Sequence, residues 1–128
     1  MTASARQLRF VVLDDDPTGV QTVHGCLMVT RWEPDVLREA FRRKERFFYV
    51  LTNTRAYDRA TAERTAAEVV RNALAVNREF GDRLVFVSRS DSTLRSHFPA
   101  EIDAVRRQLG REGSGPLDAV FVVPAFFE

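Results

Sequence analysis

The chain has one cysteine, Cys26, among its 128 residues. A single thiol excludes an internal disulfide and a zinc centre built from cysteines, and it is typical of a reducing compartment. We therefore expect a cytoplasmic protein. His24 and His97 are its two histidines, and we predict no metal site formed by them.

Long apolar runs and an excess of one charge are also missing. No run reaches the roughly 18 residues that cross a bilayer, and the N-terminus lacks the features of a signal peptide. The 19 basic residues nearly balance the 18 acidic ones, so we expect neither nucleic acid nor a membrane as partner. The length fits one globular domain.

Five short runs rich in Val, Phe and Leu stand out. They are continuous rather than alternating, which is typical of strands buried on both faces. These runs are Leu8–Leu13, Cys26–Thr30, Phe47–Thr52, Leu84–Ser88 and Ala119–Val123.

Helical patterns lie between these runs. Asp35–Lys44, Arg59–Phe80 and Pro99–Leu109 carry apolar residues at one-face spacing. Asp58 or Thr61 is the expected cap of the second helix. Strands that alternate with helices predict an α/β fold. We expect three layers: a mostly parallel, Rossmann-like sheet of about five strands, with helices on both faces.

Polar side chains follow three of the predicted strands, and ligands collect at the carboxyl ends of parallel strands. After the first strand, Asp14, Asp15 and Asp16 offer a general base toward a hydroxyl or a partial Mg²⁺ site. Gly19 allows close backbone approach to a ligand. The structural alternative is an Asp-rich turn or helix start capped by Thr18.

Two more loops add arginines. Arg89, Asp91, Ser92 and Arg95 suit a ligand that has a carboxylate and hydroxyl groups, because an arginine fork matches a carboxylate. Asn53 and Arg55 follow the third strand. Purely structural roles, an Arg–Asp pair that fixes the loop or a turn asparagine, are the alternatives. The chain has no Gly-x-x-x-x-Gly-Lys loop for nucleotide phosphates.

The order of these motifs resembles that of the four-carbon acid sugar kinases. The resemblance covers nearly the whole chain. It rests on Asp15-Asp16-Pro17-Thr18-Gly19, Asn53-Thr54-Arg55, Asp91-Ser92-Thr93-Leu94-Arg95 with Ala100-Glu101-Ile102, and Val122-Val123-Pro124-Ala125-Phe126. Two departures are Ser96, where the family usually has glycine, and Arg89, where it usually has lysine.

This resemblance implies an N-terminal domain that binds the acceptor, a tetronate or 2-oxo-tetronate, in an ATP-dependent kinase. Residues 1–128 would form that one domain, cut from a longer protein and inactive alone. ATP and Mg²⁺ would bind mainly to its own C-terminal domain, and a homodimer is possible. By carry-over, Asp15 and Asp16 lie at the reacting hydroxyl. The implied substrate-binding residues are Thr18, Gly19, Asn53, Arg55, Arg89, Asp91, Ser92 and Arg95.

Two rival functions remain open at this point. Asp14-x-Asp16-x-Thr18 also resembles the nucleophile loop of haloacid-dehalogenase-like phosphatases, with Asp14 as nucleophile and Asp16 as acid/base. The other rival is a non-catalytic small-molecule-binding domain. An exposed apolar face around Phe126 and Phe127 would favour the truncated kinase.

Overall fold

The computed structural model describes residues 6–91, 95–113 and 115–124. Its strands are β1 (Leu8–Asp14), β2 (Met28–Val29), β3 (Phe47–Leu51) and β4 (Arg83–Arg89), and its α-helices are α1 (Pro34–Arg42), α2 (Arg59–Asn77) and α3 (Ala100–Arg111). Two short 3₁₀ turns, Pro17–Val20 and Thr54–Ala56, follow β1 and β3. None of the helices described is long and apolar enough to cross a membrane.

The four strands form one parallel sheet in the order β2-β3-β1-β4. β1 is central, and its Val12 lies opposite Tyr49 of β3 and Val87 of β4. The predicted α/β class and parallel sheet are confirmed. Because all strands run the same way, β1, β3 and β4 end at one edge, which we call the carboxyl edge.

One apolar core lies between the sheet and the helices. Val11 and Leu13 of β1, together with Phe48 and Val50 of β3, lie on the same face of the sheet and point into this core. Buried residues of all three helices join the same cluster: Leu37, Ala40, Phe41, Ala66, Val69, Val70, Ala73, Val76, Ala104, Val105 and Leu109. Asp58 caps α2 by accepting a hydrogen bond from Thr61 N at 2.8 Å. Asp58 was one of the two predicted caps.

The opposite sheet face is also apolar but only partly covered. Phe10 lies between Phe47 and Val85 in the register, and Val12 lies in the next row. Phe47 remains 39% exposed. The described α-helices all contribute residues to the single core above.

The predicted fifth strand does not form. Residues 119–124 have no strand assignment, and Phe121 is 88% exposed. A Val- and Phe-rich run shows strand propensity, but a strand exists only when its backbone pairs with a neighbour, and this run pairs with none of the strands described. β4 is therefore the last strand in the described sheet. Phe126 and Phe127 lie outside the described residues.

Candidate functional site

Backbone hydrogen bonds hold the three loops of the carboxyl edge together. Thr52 N donates to Asp14 O at 2.9 Å, and Asp15 N donates to Arg89 O at 3.4 Å. Arg55 N donates to Asp15 O at 3.2 Å. The loops after β1, β3 and β4 therefore meet, as the sequence predicted from the parallel order.

Asp14 is the buried floor of this edge. Its side chain is fully buried; Oδ1 accepts a hydrogen bond from Asp16 N at 3.4 Å, and Oδ2 has no hydrogen-bond partner among the described residues. Arg89 Nη1 lies 3.8 Å from Oδ1. Burial raises the pKa of Asp14, and the neighbouring Asp15 and Asp16 raise it further, against the lowering effects of the Asp16 amide and Arg89.

Gly19 is needed because Asp14 lies against it. A Cβ added at Gly19 would overlap all three atoms of the Asp14 carboxyl group. The sequence assigned Gly19 to close approach of a ligand; the close neighbour that the structure shows is Asp14 itself.

Asp15 is held by Arg55. Arg55 Nη2 donates to Asp15 Oδ1 at 2.9 Å and Nε donates to Oδ2 at 3.3 Å, so the pair is bidentate. The Asp91 amide also donates to Asp15 Oδ2, at 3.3 Å. This pairing raises the pKa of Arg55. With a residue exposure of 2%, Asp15 is a fixed anchor for Arg55.

Asp16 is the more accessible of the two predicted catalytic carboxylates, with 24% of its side chain exposed. It caps the first 3₁₀ turn, accepting from Thr18 Oγ1 at 2.5 Å and Thr18 N at 2.8 Å. The predicted structural role, a capped turn after β1, is therefore found, but the capping residue is Asp16 and not Thr18. The Thr18 hydroxyl, the Thr18 amide and more distant Arg55 and Arg95 lower the pKa of Asp16.

Two arginines point outward at the rim. Arg95 Nε donates to Asp91 Oδ2 at 2.6 Å while 69% of its side chain stays exposed. The Arg89 side chain is 43% exposed. The predicted Arg–Asp pair therefore exists and still leaves guanidinium surface for a ligand. Ser92 lies outside the described residues.

Asn53 starts the turn that carries Arg55. It adopts a left-handed conformation with φ of 54°, which asparagine tolerates better than most residues. Asn53, Arg55, Asp15 and Asp16 lie on adjoining turns, so the structure brings together the residues predicted after β1 and β3.

A family model described as a sugar-binding N-terminal domain matches residues 10–128. The chain belongs to this family. No curated protein matches it. The match begins within β1, extends past the last described residue and includes the loops after β1, β3 and β4. The predicted polar residues that the structure describes therefore lie within the matched domain.

The carboxylates of the sugar-binding domain do not form a metal centre among the residues described. The Asp14 carboxyl group packs against Gly19, Asp15 is paired with Arg55, and Asp16 caps the 3₁₀ turn that follows it. These contacts do not fit a resident Mg²⁺ at this edge. They also disfavour the phosphatase alternative, because a nucleophilic Asp14 needs access to a phosphate and an ionised carboxylate.

Sequence reasoning gave no role to four further residues of the sugar-binding domain. Thr52, Thr54, His97 and Glu101 lie beneath the edge and hold the Arg55 turn. The spacing Thr-x-Thr after β3 and a glutamate in the first turn of α3 were the available signals. Ser96 Oγ accepts a hydrogen bond from Phe98 N at 3.4 Å.

Proposed function

We propose that this sugar-binding domain holds a four-carbon sugar acid at the carboxyl edge, as the acceptor half of an ATP-dependent kinase. The observation that supports it best is that the partly exposed side chains of Arg89 and Arg95 lie at the same edge as the accessible carboxylate of Asp16. Arg89 lies 3.8 Å from Asp14, and the charge of Arg95 lowers the pKa of Asp16. Guanidinium forks suit the carboxylate of a sugar acid, and carboxylate oxygens suit its hydroxyls.

In this proposal Asp15 and Asp16 have different roles. Asp15 is committed to Arg55 and orients it. Asp16 is ionised and reachable, so it accepts the hydrogen of the reacting hydroxyl as that oxygen attacks the γ-phosphorus and the bond to the leaving nucleotide breaks. The lowered pKa makes Asp16 a weak base, which suits phosphoryl transfer because that reaction depends mostly on positioning and charge.

The nucleotide and its Mg²⁺ belong, in this proposal, to a second domain of a longer protein. The poor fit of the described carboxylates to a metal supports that division. The side chains of Arg89, Arg95 and Asp16 are partly exposed at this edge. Docking of a second domain would close the edge and exclude water.

Calorimetric titration of the 128-residue chain tests the proposal. Erythronate, threonate and their 2-oxo forms are the ligands, and erythritol, which lacks the carboxylate, is the matched control. We expect binding of at least one acid, no binding of erythritol or MgATP, and loss of acid binding in Arg95→Ala. Arg106→Ala, which removes a similarly exposed arginine of α3 (56% exposed), should bind normally.

Three results would contradict the proposal. Equal binding of erythritol would remove the role of the arginines, and binding of no acid would remove the ligand class. Hydrolysis of a phosphate ester that disappears in Asp14→Asn would replace the kinase with the phosphatase.

A further inference from the structure

A chain of buried polar groups connects α3 to the ends of β3 and β1. Glu101 Oε1 lies 2.6 Å from Thr54 Oγ1, which lies 3.2 Å from Thr52 Oγ1. Thr52 Oγ1 lies 2.9 Å from the carbonyl oxygen of Asp14. The exposures of Glu101, Thr54 and Thr52 are 5%, 0% and 3%, so these groups must satisfy one another.

Counting hydrogens decides the direction of this chain. The Asp14 carbonyl only accepts, so the hydroxyl hydrogen of Thr52 is used there. If Glu101 were ionised, Thr54 would have to donate to it, and the two threonine oxygens would face each other with no hydrogen between them. If Glu101 holds a proton, Glu101 donates to Thr54, Thr54 to Thr52, and Thr52 to Asp14 O. Only this second arrangement supplies one hydrogen for each contact.

We infer that Glu101 is a neutral, proton-donating carboxyl group in the folded domain, and that its chain through Thr54 and Thr52 positions Arg55. Thr54 precedes Arg55 in the same 3₁₀ turn. Fixing the Thr54 side chain from below therefore fixes the backbone that presents the Arg55 guanidinium to Asp15 and Asp16. Glu101 acts through the turn, so it is a positioning residue.

The charged groups around Glu101 agree with this state. Burial raises the pKa of Glu101, and the negative charge of Asp15, after β1, raises it further. The Thr54 hydroxyl and His97, just before α3, act in the opposite direction.

His97 provides a second clamp on the same turn. Its Nε2 lies 3.0 Å from Thr54 O and 2.8 Å from Tyr57 O. Both oxygens only accept, so Nε2 carries a hydrogen and is shared between them. The turn that carries Arg55 is therefore held at the Thr54 side chain by Glu101 and at two backbone carbonyls by His97.

The protonation state can be measured without any sugar. The side-chain carboxyl carbon of each glutamate is followed by ¹³C NMR as the pH of the unliganded 128-residue chain is raised, and Glu101→Gln assigns the signal. We expect Glu101 to stay neutral well above the ordinary glutamate pKa of 4.5. Ionisation of Glu101 at that ordinary value would overturn the inference.

The positioning role rests on the proposed function and has its own test. Glutamine can donate to Thr54 in the same sense as a neutral glutamate, so Glu101→Gln should bind the sugar acid within about threefold of wild type. Glu101→Ala should bind about tenfold more weakly, because Thr54 loses its donor. As the pH rises through the ionisation of Glu101, wild-type affinity should fall while the affinity of Glu101→Gln stays level.

Several outcomes separate the possibilities. Glutamine as damaging as alanine would show that a charged Glu101 is needed and would overturn the inference. If Glu101→Ala does not fold, Thr54→Val and Thr54→Ser supply the comparison, since only serine keeps the hydroxyl; equal affinity of these two variants would exclude the positioning role. If no sugar acid binds wild type, the proposed function fails, and the NMR titration still decides the protonation state.

Discussion

Each end of β1 carries a buried ionisable residue, and the two residues differ in how well their polar atoms are paired. At the amino end, Arg9 donates to Asp82 Oδ2 at 2.7 Å and to Arg43 O at 3.0 Å, and its guanidinium carbon lies 5.0 Å from the centre of the Phe41 ring. At the carboxyl end, Asp14 leaves one oxygen without a hydrogen-bond partner among the described residues and has Arg89 at 3.8 Å. The amino end is satisfied; the carboxyl end is not.

This difference separates a structural end from a functional end. A buried ion pair with good geometry satisfies its charges and locks the elements that it joins. Incompletely paired carboxylates are unfavourable for folding, and they persist where a ligand or partner completes them. We therefore expect changes at Arg9 to affect stability, and changes around Asp14 to affect binding more than stability.

The largest effect is expected for Arg9→Met. It leaves Asp82, whose side chain is 11% exposed, without its cation, and loss of one partner of a buried pair costs about 3–5 kcal/mol. Urea unfolding measures this loss. Arg42→Ala, which breaks an exposed pair with Glu39, should change the free energy of unfolding by less than about 0.5 kcal/mol.

A second substitution sharpens the test of the amino end. Adding Asp82→Asn to Arg9→Met removes the uncompensated charge, so the double variant should recover part of the lost stability. A double variant less stable than Arg9→Met alone would show that the damage comes from packing around Phe41 instead.

Gly19→Ala should have the next largest effect. The new methyl group overlaps the Asp14 carboxyl, so the loop must shift, at a cost of about 1–3 kcal/mol. The same shift displaces Asp16 and should abolish sugar-acid binding in calorimetry. Gly110→Ala is the matched control. Gly110 lies in α3, and a methyl group added there would meet no other part of the protein within 4 Å, so alanine should stabilise the helix by about 0.5–1 kcal/mol. Normal binding by Gly19→Ala would separate that loop from the site.

The sequence predicted the features of the fold that depend on local residue patterns, and it missed features that depend on distant pairing. Continuous runs of Val, Phe and Leu located β1, β3 and β4 because these residue types favour strands, although no residue of β4 is fully buried. The expected strand at 119–123 has the same composition and is not formed, since composition does not record whether a partner strand is present.

The site shows the same limit at the level of single residues. Parallel strand order was enough to place Asp15, Asp16 and Arg55 together. Strand order could not show that Arg55 pairs with Asp15, or that the Asp14 carboxyl group packs against Gly19, because both contacts depend on side-chain directions. Glu101 and Thr54 are 47 positions apart, and only the packing of α3 brings them together.

The pH dependence of stability provides a smaller test at the carboxyl end. Burial raises the pKa of Asp14 above its ordinary value of 3.8, so the folded state holds a proton that the unfolded chain releases first. The contribution of Asp14 is complete below that value and declines as the pH rises. Wild type should therefore lose stability relative to Asp14→Asn when urea unfolding is repeated from acid toward neutral pH. A constant difference would show that Asp14 is not protonated preferentially in the folded state.

The smallest change in stability is expected for Arg95→Ala, although its effect on binding should be large. Arg95 pairs with Asp91 at the rim, where most of its side chain is in water, and such pairs contribute less than about 1 kcal/mol. We expect an unfolding midpoint close to that of wild type and at least tenfold weaker binding of the sugar acid. Arg95→Lys keeps the charge but not the fork, so intermediate binding would indicate bidentate recognition of a carboxylate. If Arg95→Ala instead lost stability and kept its affinity, the rim would be structural like the amino end, and the contrast between the two ends of β1 would not extend to Arg95.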